Sequence, residues 1–178
     1  VIVGAGGIGL NMIQAATLVS SWPIIAVDLF DNRLNLAKEL GATHLINSNK
    51  LDPEKEIIKI LGDSALDVFI DNTGIPKIIE MGYKLINKQG RLILVGVPNK
   101  ESTINIHSLP LHFGKIVTGS HGGESKPNED IPRYMRLLNQ NKWNAKALVT
   151  SRYELNEINQ AIEDMRTGKI AGRIIITT

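Results

Sequence analysis

The sequence predicts an α/β fold, a doubly wound parallel sheet with helices on both faces. Three observations carry that prediction. Short β-branched runs alternate with longer segments of helical period, the pattern of βαβ units. A glycine-rich turn, Gly4-Ala5-Gly6-Gly7-Ile8-Gly9, joins the first such run to the first helical segment. The chain has 178 residues, 43% hydrophobic and 21% charged, which is ordinary globular usage and the length of one domain or one domain with an appendage.

The elements follow in order. Val1–Val3 is a strand, and Gly7 to about Val19 a helix with Leu10, Ile13, Ala16 and Thr17 near helical spacing. Ile24–Asp28 is continuous and apolar, so it is a strand buried on both faces. Asp31 reads as the N-cap of a helix to Leu40, and Gly41 as its C′ residue. His44–Asn47 is a third strand. Asp52-Pro53-Glu54 supplies a cap, an N1 proline and a first-turn acid for a helix to Leu61. Leu66–Asp71 is a strand, Pro76–Ile86 a helix and Gly90–Val95 a fifth strand. Ser102–His107 alternates polar and apolar residues as an edge strand does, and Lys115–Ser120 is a sixth core strand. The pattern changes after Gly122, dividing the chain into residues 1–122 and a C-terminal segment, 123–178. There we predict a loop through Asp130, a helix over Ile131–Asn139, a strand over Ala147–Thr150, a helix over Asn156–Arg166 and a last strand, Arg173–Thr177.

Composition excludes several classes of function. A net charge of +2 and 4% aromatic residues suit neither a phosphate-tracking nor a base-stacking nucleic-acid binder. No apolar run approaches the roughly 20 residues of a membrane helix. Cysteine is absent, so there is no disulfide, thiol nucleophile or thiolate metal site. The histidines His44, His107, His112 and His121 form no helical pair, so no metal site is expected. Asp67 and Asp71 lie about 13 Å apart along a strand, too far to share a proton. The chain opens inside a strand without an initiator methionine, so we expect polypeptide to precede Val1.

Gly4 to Gly9 matches G-x-G-x-x-G between a strand and a helix. Such a turn lets the backbone approach a pyrophosphate, packs the helix on the sheet, and aims free helix N–H groups at the anion. Asp28 ends the next strand roughly 20 residues on, where an acid accepts hydrogen bonds from a ribose and opposes a 2′-phosphate. The pair predicts NAD rather than NADP. Arg33 either reaches the same ribose or is a solvated helix residue.

These motifs continue in one order: Leu40-Gly41-Ala42-Thr43, Asp67 through Asn72-Thr73-Gly74, Gly90 through Val95-Gly96, Glu157 through Ala161, and Gly168-Lys169 through Gly172-Arg173. The chain thereby resembles, over nearly its whole length, the nucleotide-binding half of the medium-chain zinc-dependent alcohol dehydrogenases, a Rossmann-type domain. The resemblance implies pyrophosphate on Gly4, Ala5, Gly6, Gly7, Ile8 and Gly9, and adenosine ribose on Asp28 and Arg33. It implies that Asn72, Thr73 and Gly74 line the dinucleotide crevice. Val95, Gly96 and Val97 would meet the nicotinamide side, and Ser120 and His121 the carboxamide through backbone groups. Arg173 matches an arginine that reaches the phosphates; read alone, it is a surface charge before the last strand. The resemblance also places the zinc ligands in an N-terminal catalytic domain that this chain does not contain.

The implied function is hydride transfer between an alcohol or aldehyde and NAD in a cytoplasmic enzyme, with zinc supplied by that other domain and with this piece inactive alone. Two alternatives are a zinc-free quinone or enone reductase and a non-catalytic NAD-sensing module. The resemblance further implies a homodimer, or a dimer of dimers, joined through the Thr103–His107 edge.

Overall fold

A computed structural model describes all residues, 1–178. Its centre is a six-stranded parallel sheet. The strands are β1 (Ile2–Val3), β2 (Ile25–Asp28), β3 (His44–Asn47), β4 (Val68–Asp71), β5 (Arg91–Leu94) and β6 (Ile116–Gly119), in the order β3-β2-β1-β4-β5-β6. Helices α1 (Gly7–Leu18), α2 (Asp31–Glu39), α3 (Pro53–Leu61) and α4 (Pro76–Leu85) make the first four crossovers. The order reverses between β1 and β4, which opens a crevice at their C-terminal ends.

Strand alternation divides the core into two layers. Ile2, Ala26, Leu45 and Ile70 face one way, against Leu10, Ile13, Leu34 and Ala37 of α1 and α2. Their neighbours Val3, Ile25, Val27, Ile46 and Phe69 face the other, against Ile57, Ile79 and Tyr83 of α3 and α4. Period-2 alternation on strands buried from both sides produces this division.

The C-terminal segment holds α5 (Pro127–Asn139), α6 (Ala145–Leu148), β7 (Val149–Glu154), α7 (Ile158–Arg166) and β8 (Arg173–Thr177). β7 and β8 form their own two-stranded parallel sheet. The segment docks beside α1 and α2: Leu148 enters their core layer, and the Asn144 N–H donates to Gln14 Oε1 at 2.7 Å.

The structure corrects four expectations. Asp31 is the first helical residue of α2, not its cap; the cap is Phe30, whose N–H donates to Asp28 Oδ1 at 3.1 Å. Ser102–His107 joins no sheet of this chain. It lies along α4 instead, where the Asn105 N–H donates to Glu80 Oε1 at 2.7 Å and Tyr83 Oη donates to the His107 carbonyl at 2.5 Å. Its isoleucines, Ile104 and Ile106, pack into the α3–α4 layer. Residues 145–148 are a short helix rather than the start of a strand, because Asn144 Oδ1 accepts from the Ala147 N–H at 3.0 Å and closes a turn. Finally, α5 starts at Pro127, four residues before Ile131, with Asp130 Oδ2 accepting from the Lys126 N–H at 2.8 Å.

Candidate functional site

The crevice is a cavity of about 560 Å³ above the C-terminal ends of β1, β2, β4 and β5. Its floor is the turn after β1. Gly4 sits at φ +92°, a left-handed conformation that suits glycine, and its N–H donates to the Val27 carbonyl at 2.8 Å. A Cβ on Gly9 would overlap the Gly4 carbonyl, so that glycine lets α1 start close against the turn.

Gly6 has a different reason to be glycine. It caps α1 at φ −77°, ψ −170°, ordinary extended backbone. A Cβ there would meet no protein atom within 4 Å and would project into open space. No side chain caps α1, so the N–H groups of its first turn have no partner within the helix. Positive dipole and free donors together suit an anion.

A cation stands over that helix end. A Cβ on Gly7 would overlap the Arg173 guanidinium, which reaches across from the start of β8. Arg173 forms no ion pair with any carboxylate of the chain. Arg173 is exposed and also lines the crevice.

Asp28 is 6% exposed at the rim. Its Oδ2 accepts from the Ala5 N–H at 2.8 Å, so it also ties the glycine turn to β2. Each carboxylate oxygen keeps a further lone pair for a ligand donor. Arg33 is half-buried: its side chain is 23% exposed, with Nη1 3.8 Å from Asp28 Oδ1 and its guanidinium over the Phe30 ring at 4.8 Å. Asp31 faces away from the crevice, toward Lys50 and Asn47, whose hydrogen bonds hold its carboxyl below the usual carboxylate range.

The opposite wall is organised by Asp71, which is fully buried. Its carboxylate accepts from the Thr73 N–H at 3.0 Å, Thr73 Oγ1 at 2.5 Å and the Gly74 N–H at 2.8 Å. Its carbonyl accepts from the N–H groups of Val95 and Gly96, at 2.8 and 2.9 Å. This joins the ends of β4 and β5. Asn72 Nδ2 donates to the Gly4 carbonyl at 3.3 Å, while its Oδ1 is buried without a partner.

Of the residues singled out from sequence, Gly4, Gly6, Gly7, Ile8, Gly9, Asp28, Arg33, Asn72, Thr73, Val95, Gly96, Val97 and Arg173 line this one cavity. Ala5 and Gly74 lie buried behind it. Ser120 and His121 follow β6 and do not line it; the Ser120 N–H extends the ladder to the Leu94 carbonyl at 2.9 Å. Val3, Val27, Leu29, Ser48, Ile75 and Ile78 also line it and are not singled out by the sequence motifs. Leu29 and Ser48 directly follow the ends of β2 and β3, so the rule that ligands bind beyond the carboxyl ends of strands was the available signal. A second cavity, about 460 Å³, lies at the other ends of the strands and is lined mostly by apolar residues. No group of three or more histidine, aspartate and glutamate residues comes together to hold a metal.

A parallel sheet in this order, with a glycine-rich turn at its reversal, defines a Rossmann-type α/β domain. The family model described as zinc-binding dehydrogenase matches residues 7–140, and the chain belongs to that family. It is 31% identical to an L-threonine 3-dehydrogenase of Pyrococcus horikoshii, over 98% of this chain and 49% of that protein. It is 32% identical to an NDMA-dependent alcohol dehydrogenase of Amycolatopsis methanolica, over 95% and 46%. The crystal structure of benzyl alcohol dehydrogenase from Acinetobacter calcoaceticus superimposes with a TM-score of 0.89 at 38% identity, covering 98% of this chain and 48% of that one. The chain thus spans about half the length of the relatives it matches.

Proposed function

We propose that the chain is the NAD-binding half of an alcohol dehydrogenase. One observation carries the reading: a side chain at Gly6 would project into open space, and that space lies at a helix end with no side-chain cap, beside an arginine with no ion pair. Gly4 to Gly9 would hold the pyrophosphate on backbone N–H groups, with Arg173 neutralising it. Asp28 would accept from the adenosine ribose hydroxyls, and its charge beside a 2′-phosphate would favour NAD over NADP. Asn72, Thr73, Val95, Gly96 and Val97 form the wall along which the nicotinamide end would lie, with Ser120 and His121 at its far side.

Bound NAD would supply the hydride acceptor; this chain's residues orient it at the strand ends. A zinc ion polarising the alcohol oxygen would be held by residues outside this chain. Residues 1–122 would carry the nucleotide crevice, and residues 123–178 would deliver Arg173 to it. No helix is long and apolar enough to cross a membrane. Thr103, Asn105 and His107 face outward from α4, and that face would pair with a second copy of the chain.

Titration with NADH and NADPH tests the reading. Saturable NADH binding, at least tenfold tighter than NADPH, is expected. Equal affinities, or no binding of either, would overturn it.

A further inference from the structure

Arg173 belongs to the last strand, yet it acts at the first helix, so something must hold the C-terminal segment in place. The turn between α7 and β8, Thr167–Gly172, leads directly into Arg173. Thr150 Oγ1 donates to the Ala171 carbonyl on its β7 side, and Asn32 of α2 grips its start. Asn32 Nδ2 donates to the Gly168 carbonyl at 2.9 Å and to the Lys169 carbonyl at 3.1 Å. Asn32 Oδ1 accepts from the Arg33 N–H at 2.8 Å, which fixes the amide's orientation. Gly168 ends α7 at φ +73° beneath the Phe30 ring, and a Cβ there would overlap that ring. Past the turn, Ile170 is buried, and Gly172 sits at φ +72° against the Leu148 carbonyl. From Asn32 to Arg173 the path is therefore continuous and packed. Asn32 itself does not line the crevice.

We infer that Asn32 is a positioning residue for the nucleotide: by holding the α7–β8 turn against the start of α2, it keeps Arg173 over the N-terminus of α1. This rests on the reading of Arg173 as a phosphate ligand. Losing both donors lowers the fraction of molecules with Arg173 docked, and apparent affinity falls by that fraction.

The test is a double-mutant cycle on NADH affinity, measured by fluorescence titration of the wild type, Asn32→Ala, Arg173→Ala and the double variant. Arg173→Ala should weaken NADH binding about tenfold or more, as loss of a charge-assisted hydrogen bond does. Asn32→Ala should weaken it about fivefold, by the lowered docked fraction. In the Arg173→Ala background the same change should have no further effect. Asn32→Asp keeps the acceptor but loses both donors, so it should behave as Asn32→Ala. Near-native circular dichroism of each variant is required; should Asn32→Ala misfold, Asn32→Ser carries the same test. Wild-type affinity in a folded Asn32→Ala, or additive losses in the cycle, would overturn the inference. If Arg173→Ala itself binds NADH normally, the phosphate role of Arg173 fails, and the inference with it.

Discussion

Gly6 is the position where stability and binding should part company. Consider Gly6→Ala. The added methyl meets no protein atom within 4 Å, and the backbone at φ −77°, ψ −170° suits alanine. Restricting the unfolded chain should stabilise the fold by about 0.4–1 kcal/mol. Against this, alanine is a poorer N-cap than glycine, at a cost of roughly 0.5–1 kcal/mol. The two effects nearly cancel, so unfolding free energy should change by less than about 1 kcal/mol. Binding has no such cancellation. The methyl would occupy the space above the first-turn N–H groups, displacing a pyrophosphate from at least two charge-assisted hydrogen bonds at about 1.5–3 kcal/mol each. NADH affinity should fall by a hundredfold or more, since 3 kcal/mol corresponds to about that factor. Urea unfolding and NADH titration on the same preparation check both halves. Near-wild-type NADH binding would refute the placement of the pyrophosphate. A destabilisation beyond about 2 kcal/mol would instead refute the claim that Gly6 faces open space.

Three further outcomes follow from the same structure. Asp28→Ser should weaken NADH binding about tenfold and narrow its lead over NADPH, because the ribose acceptor and the charge opposing a 2′-phosphate are lost together; parallel titrations read both. Tyr153→Phe removes the hydrogen bond that is the main cause holding the Asp164 carboxyl below its usual range, ahead of Lys169. A depressed carboxyl stabilises above its unfolded value and loses that contribution as pH falls, while the raised Tyr153 hydroxyl loses its own as pH rises past about 10. The destabilisation by Tyr153→Phe should therefore be largest near neutrality and shrink at both extremes, and thermal melts giving a flat pH profile would contradict it. If Thr103–His107 pairs with a second copy, Ile104→Pro should dissociate the dimer in sedimentation, whereas Asn105→Pro should not, because the Asn105 N–H is already spent on Glu80.

What could be read from the sequence was local, and what could not depended on distant partners. The continuous apolar run Ile25–Val27 announced a strand buried on both faces, and all three residues lie in the core. Asp52 and Pro53 announced the start of α3, and Asp52 Oδ1 does accept from the Glu54 N–H. Asp31 misled because its type suits a cap, yet Asp28, three residues earlier, already holds the Phe30 N–H. The polar stretch before Ile131 reads as loop, yet Pro127 takes the N1 place of α5 and Pro132 falls inside the helix. Alternation sets Ile104 and Ile106 on one face of Ser102–His107, but the same pattern serves a strand on a sheet or, as here, an extended segment on a helix. Only the position of Glu80 and Tyr83 on α4 decides between them.

With Arg173 in its lining, the crevice is built from the end of the chain as well as its beginning. The N-terminus of α1 offers about +0.5 of an elementary charge. Arg33 lies close to the crevice too, but Asp28 stands 3.8 Å from it and offsets its charge. A doubly charged pyrophosphate set on the glycine turn alone would therefore remain largely unneutralised. On the proposed reading Arg173, which forms no ion pair with a carboxylate, would add a full charge and so contribute more to anion binding than the helix dipole. The glycine turn would fix where the backbone can approach, and the last strand would supply most of the charge that makes the approach favourable. A signature confined to the first nine residues would then describe half of the proposed anion site; the other half would be set by how β8 returns to α1.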